Sequence, residues 1–282
     1  MFYEMIGFVA EGHEPTTSSL PVFETAQAAF FLDFDGVLVG LAPTPDGIEV
    51  RPEVPRLLAS LLHATKGAVA IVSGRAVADI RRWLPDFAGV VVGSHGAEID
   101  RGEGPERTVD PDPARVEALR KMVEGFAVTD PAYIAEPKPM GVVLHFRRKP
   151  ELRGQAYHML DAALHDFDGF HIHHSKMAFE VRPDGVGKEN AVQTLMGEAP
   201  FAGRRPVYFG DDVTDELALE WVRAQGGVSV KVGDGPTAAA CRLRDPAEVR
   251  AALARQLAGL SPEPPAAPIA PPAAREGGGG EA

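Results

Sequence analysis

Seven residues of this chain have side chains suited to catalysis or ion binding and stand where secondary structure would expose them: Asp33, Asp35, Ser73, Lys188, Asp211, Asp212 and Asp215. Asp33 and Asp35 sit in FFLDFDGVL (30–38), where a bulky apolar run breaks into acid, aromatic, acid, glycine. Alternation along a strand puts the two acids on one side and Phe34 on the other, while Gly36 lets the chain turn where a Cβ would clash. Carboxylates crowded at a strand's end repel one another and need a cation or a shared proton. A hard, oxygen-seeking ion such as Mg2+ is the natural neutraliser. Each of these residues taken singly also fits a plain surface turn or an exposed helix position; their significance lies in being brought together.

The elements that would do this are legible. The apolar runs at 30–32, 68–72, 90–92 and 206–209 each end in a small or polar cluster: Asp33-Phe34-Asp35-Gly36, Ser73-Gly74-Arg75, Gly93-Ser94-His95-Gly96 and Gly210-Asp211-Asp212. Helical spacing at 51–63 and 77–83 separates the first three, and Lys188 opens a further helix. That rhythm predicts an α/β fold, a Rossmann-like parallel sheet with crossover helices. In such sheets ligands bind at the carboxyl ends of the strands, where the acids, Ser73 and the Asp211 cluster would meet. From about Arg101 the pattern changes to α-β-β-α-β-β, which suits a small antiparallel sheet covered by two helices. The expected organisation is a leader (1–26), a core (27–105 and 182–260), an inserted domain (106–181) and a disordered Pro/Ala/Gly tail (261–282). VSVKV (228–232) reads as the last strand, and Gly233–Ala238 as the opening of a helix after it. A dinucleotide fingerprint there would have no βαβ unit to follow, which argues against a nicotinamide cofactor.

Composition narrows the function. The net charge of -12 argues against non-specific nucleic-acid binding and against an anionic membrane surface. No apolar run is long enough to span a bilayer, and the N-terminus lacks a basic region and carries Glu4, so a cytoplasmic protein is expected. The single cysteine, Cys241, excludes an intramolecular disulfide and reads as a small buried hydrophobe. Ile71 stands where a nucleophile elbow needs glycine, and Arg182 and Glu189 occupy two required positions of a phosphate-binding P-loop. His171, His173 and His174 read as an exposed strand of the inserted domain, since alternation throws His174 to the opposite side from His173. Trp83 and Trp221 fall in helical apolar patterns and read as core.

The ordered set Asp33-Phe34-Asp35-Gly36, Ser73, Lys188 and Gly210-Asp211-Asp212-Val213-Thr214-Asp215 resembles the four motifs of the haloacid dehalogenase superfamily of phosphatases. The chain departs from the commoner motif at Val37, where Thr is usual; backbone N–H groups face the phosphate there, so the replacement should cost little. VSGR (72–75), GSHGAEI (93–99), VVLHFR (142–147), SKMAFEVRP (175–183), GVGKENAV (185–192) and YFGDDVTDE (208–216) look more narrowly like trehalose-6-phosphate phosphatases.

The resemblance implies roles. Asp33 would attack phosphorus, and Asp35 would protonate the leaving sugar oxygen and then deprotonate water. Mg2+ would be held by Asp33, the Asp35 carbonyl and Asp211, with Asp215 and Asp212 reaching it through water. Ser73, Gly74 and Lys188 would bind the phosphoryl group. The inserted domain would close as a cap, with Lys176 and Glu180 contacting trehalose hydroxyls and Arg75, His95 and Arg147 as further substrate contacts. The expected partner is a small-molecule sugar phosphate, with functional coupling to a trehalose-6-phosphate synthase and a monomeric state as the default. The rivals are a phosphatase of another sugar phosphate, such as sucrose 6-phosphate or glucosylglycerol phosphate, and a non-catalytic sugar-phosphate sensor. The complete set of acids, serine and lysine argues against the sensor.

Overall fold

The computed structural model describes residues 20–42, 44–175 and 177–259. Most of the expected leader, Lys176 and the whole of the expected tail lie outside the described residues. The run AAFFL forms β1 (Ala28–Leu32), buried along its whole length. Phe30 and Leu32 enter one apolar cluster and Ala29 and Phe31 another, so the strand is covered on both faces and needs its unbroken hydrophobicity. Helix α1 (Glu53–Thr65) buries Val54, Leu57, Leu58 and Leu61 at the three- and four-residue spacings of the sequence. It stops at Lys66, whose left-handed φ of 53° turns the chain into Gly67 and β2 (Val69–Val72). Helix α2 (Val77–Trp83) then leads to β3 (Val90–Gly93).

Next comes an antiparallel hairpin, β4 (Glu98–Asp100) and β5 (Pro105–Arg107), on the edge of the same sheet. Sequence periodicity misses it because β5 is three exposed residues with a proline, the pattern of an edge strand rather than a core one. The chain then leaves for the second unit: α3 (Pro113–Ala127), β6 (Ile134–Lys138), β7 (Gly141–His145), α4 (Arg153–Leu164), β8 (Phe170–Ser175) and β9 (Ala178–Pro183). These strands form their own antiparallel sheet in the order β6-β7-β9-β8. The expected boundaries at 105/106 and 181/182 fall inside β5 and β9; the sheets change over after Arg107 and after Pro183.

The first sheet resumes with α5 (Lys188–Met196), β10 (Arg205–Gly210), α6 (Glu216–Ala224), β11 (Val228–Val232), β12 (Cys241–Leu243) and α7 (Pro246–Leu257). Its order is β12-β11-β10-β1-β2-β3-β4-β5, parallel from β12 through β3. VSVKV is therefore not the last strand. Gly233–Ala238 opens no helix but leads into β12, with the Gly233 N–H donating to the Leu243 carbonyl at 2.9 Å. No helix among the described residues is long and apolar enough to cross a membrane.

The order β10-β1-β2 is what builds a site. Leu32 pairs with Phe209 on one side and Ile71 on the other, so Asp33, Ser73 and Asp211 emerge from three adjacent strand ends.

Candidate active site

Asp33 follows β1 at 5% exposure. Its Oδ1 accepts the Phe34 N–H at 2.6 Å, and its Oδ2 accepts from Lys188 Nζ at 2.7 Å. Lys188 is the first residue of α5, 2% exposed, and donates equally to Asp215 Oδ1 at 2.7 Å. Asp215 is fully used: Oδ1 also accepts the Tyr208 hydroxyl at 2.6 Å, and Oδ2 accepts the Asp211 and Asp212 N–H groups at 3.2 and 3.1 Å. It acts as a brace between the lysine and the loop after β10.

One ammonium thus faces three carboxylates, since oxygens of Asp33, Asp211 and Asp215 lie within 4.8 Å of one another. Burial holds Asp33 well above the usual carboxylate range despite Lys188. Burial, with the negative charges of Asp215 and Asp212, pushes Asp211 up to about 7. Burial works the same way on Asp215, but the Lys188 charge and the bonds from Lys188, Tyr208 and Asp212 outweigh it and hold that residue down. Burial disfavours the Lys188 ammonium, yet the two carboxylates overcome this and raise it. The trio carries more negative charge than its lysine neutralises, which is the donor set a hard divalent cation fits. Gly36 lets the Asp211 carboxylate close in on the first strand's loop: a Cβ there would stand 2.1 Å from Asp211 Oδ2, at a φ of +73°.

Asp35 has a different partner. Arg75 grips it bidentately, Nε to Oδ2 at 2.6 Å and Nη2 to Oδ1 at 2.8 Å, with the guanidinium 5.7 Å from the centre of the Phe34 ring. Arg75, expected as a substrate contact, is here the group that orients Asp35. Ser73 is wholly buried after β2, its Oγ accepting the Arg75 N–H at 3.1 Å. His95, in a left-handed turn after β3 (φ 57°), lays its ring on Gly74; a Cβ there would come within 2.5 Å of it. Burial, then the charges of Lys188 and Arg182, drop His95 to about 3, so it is neutral.

Over this floor lies the second sheet. Its helices cover the face bearing Val142, Leu144, Phe179 and Val181. Register places Glu136 and Lys138 of β6, His145 of β7, His171 and His173 of β8, and Glu180 and Arg182 of β9 on the other face. Strand β8 packs on the short turn Val213–Asp215, so this polar face looks onto the carboxylates. Burial raises the Glu180 carboxyl.

Not every anticipated residue arrives. The Asp212 carboxylate is exposed and caps the turn Val213–Asp215 by accepting the Asp215 N–H, so it stands outside the acidic trio. Arg147 is exposed beyond the end of β7, with no bond to the site among the described residues. The three histidines are half-buried rather than exposed: His174 packs on Tyr157 and Phe179, and His173 Nδ1 meets Arg182 Nη2 at 2.9 Å.

Tyr208 was hidden in an apolar run, its only signal being a hydroxyl two residues before the glycine of GDD. Glu136, Lys138 and His145 were also missed. Glu136 accepts from Lys138 at 2.5 Å and meets His145 Nε2 at 2.9 Å, and the clue was alternation in IAEPK, which the proline of an edge strand obscured.

The family model described as trehalose-phosphatase matches residues 31–247. The chain is 31% identical over 230 residues to the trehalose-6-phosphate phosphatase of Escherichia coli K12, covering 82% of this chain and 86% of that protein. It is 34% identical over 206 residues to a probable trehalose-phosphate phosphatase of Sinorhizobium fredii NGR234, covering 73% and 77% of the two chains. The solved C-terminal domain of C. albicans trehalose-6-phosphate phosphatase superposes with a TM-score of 0.68 at 21% identity, covering 89% of this chain and all of that one, a likeness of fold. The matched span includes the strand ends, the lysine and the inserted sheet described above, and the chain belongs to the trehalose-phosphatase family.

Proposed function

We propose that the chain hydrolyses trehalose 6-phosphate to trehalose and phosphate by way of an aspartyl phosphate on Asp33. The observation that carries the reading is the Asp33–Lys188 pair inside the acidic trio, in a chain of this family. Asp33 lies at the centre of three strand ends, and Lys188, bonded to it, would share its charge with an incoming phosphoryl group. Its carboxylate oxygen would bond to phosphorus as the ester P–O bond breaks, with Asp35 giving its proton to the departing sugar oxygen. Asp35, now ionised, would take a proton from the water that releases phosphate from Asp33. Bound Mg2+, held by Asp33 and Asp211, would supply charge neutralisation at the phosphoryl oxygens. Asp215, with both oxygens already bonded, fits a bracing role better than direct ligation. Ser73 and the neighbouring Gly74 would line the phosphate.

The polar cap face supports a disaccharide. Glu136, Lys138, His145 and Glu180 offer donors and acceptors to a ligand rich in hydroxyls and uncharged away from its phosphate. Arg75 would hold Asp35 until the substrate enters, then share it with the leaving oxygen.

The test is phosphate release from trehalose 6-phosphate, sucrose 6-phosphate and glucose 6-phosphate, with Mg2+, with chelator and with Asp33→Asn. Release from the trehalose ester that needs Mg2+ and vanishes in the variant is the expected result. Undiminished release by Asp33→Asn would overturn the nucleophile assignment. Equal release from glucose 6-phosphate would overturn the disaccharide reading. Binding of trehalose 6-phosphate without release would favour the sensor.

A further inference from the structure

Five buried side-chain polar atoms among the described residues lack a hydrogen-bond partner, and four of them belong to one neighbourhood: His95 Nδ1, His173 Nε2, Arg182 Nη1 and Glu189 Oε2. Arg182 is the penultimate residue of β9, 4% exposed on the polar cap face, just before the chain returns to the core. Its Nη2 meets His173 Nδ1 at 2.9 Å, and its Nη1 stays 3.9 Å from Glu180, too far for a hydrogen bond. Glu189 lies across the seam, in the first turn of α5 beside Lys188. Its carboxylate folds back over Gly187, where a Cβ would stand 2.1 Å from Oε1, and that oxygen accepts weakly from Asn190 at 3.4 Å. Each of these charges lies within the other's field, for Glu189 is among the groups that favour the Arg182 cation against its burial.

A buried donor and a buried acceptor of opposite charge, each with one open position, cost free energy while they stay unmade. The seam between cap and core is where motion would make the bond. We propose that Arg182 is a positioning residue whose Nη1 donates to Glu189 Oε2 when the cap seats on the substrate. Glu189 is the neighbour of Lys188, which bonds the nucleophile, so the pair ties cap closure to the helix end that holds Asp33. The inference rests on the proposal that a sugar phosphate is hydrolysed beneath the cap.

The test is kcat and KM for trehalose 6-phosphate with Arg182→Lys, Glu189→Gln and the double variant, beside the melting temperature of each free protein. Glu189→Gln is nearly isosteric, so it reads the charge even where Arg182→Lys disturbs the fold. Each single change is expected to lower kcat/KM about tenfold, the double variant to lose no more than the worse single, and the melting temperatures to show no such coupling. Additive losses, full activity in Glu189→Gln, or coupling that appears equally in the melting temperatures would overturn the proposal. If the native protein itself releases no phosphate from trehalose 6-phosphate, the functional reading fails instead.

Discussion

Replacing His95 with asparagine should flatten the acid sensitivity of the core. In the folded chain the His95 pKa is lowered from 6.5 to about 3 by burial and by the Lys188 and Arg182 charges. An unfolded histidine titrates near 6.5, so between these values the unfolded chain binds a proton that the folded chain refuses. The stability due to a neutral His95 is therefore fully present above about pH 6.5 and is lost as the pH falls toward about 3. Between pH 7 and pH 5 the loss is about 2 kcal/mol, obtained by integrating the linkage relation for a single site. Asp33, Asp211 and Glu180 act in the opposite direction: their folded pKa values are raised, so acid relieves the cost of keeping them charged. The net slope of the native protein mixes both, and the difference between native protein and His95→Asn isolates the histidine. Asparagine tolerates the left-handed φ of 57° at this position. Urea unfolding at pH 7 and pH 5 is best followed by tryptophan fluorescence, because Trp83 and Trp221 both pack in the core unit that holds His95. The native protein should lose about 2 kcal/mol more than the variant over this interval. Equal losses would show that folded His95 takes up its proton normally and would refute the reasoning.

Two further substitutions probe the floor of the site. Gly36→Ala drives a Cβ to 2.1 Å from the Asp211 carboxylate at a φ of +73°, so phosphatase activity should fall at least about tenfold, with weakened Mg2+ dependence in a metal titration. Arg75→Met removes the bidentate grip on Asp35 without touching Asp33, Lys188 or Asp211. It should lower kcat by about ten- to a hundredfold while the urea midpoint barely moves, as steady-state kinetics beside an unfolding curve would show.

The local grammar of the chain carried most of the architecture. FFLDFDG, AVAIV before Ser73, and the apolar run before Gly210-Asp211-Asp212 each state a buried strand and its end, because a strand covered on both faces needs continuous hydrophobicity and a ligand loop needs the opposite. The change to α-β-β-α-β-β marked the inserted unit for the complementary reason: a sheet covered by helices on one face alternates apolar and polar residues along its strands. The short strands β4, β5 and β12 escaped because three-residue segments have no period to read and owe their pairing to neighbours.

The sequence by itself determined which acids, which serine and which lysine stand at strand and helix ends, since those positions follow from one-dimensional pattern. Only the tertiary structure decided how they divide the work. Strand order set β10 and β2 on either side of β1, bringing Asp33, Asp211 and Asp215 together. Side-chain reach gave Asp35 to Arg75 rather than to the acidic cluster, and gave Asp212 to a helical cap. Tyr208 and Arg182 became visible only when their hydrogen-bond partners, Asp215 and His173, could be named, because burial of a polar atom is a property of what surrounds it and not of the segment that carries it.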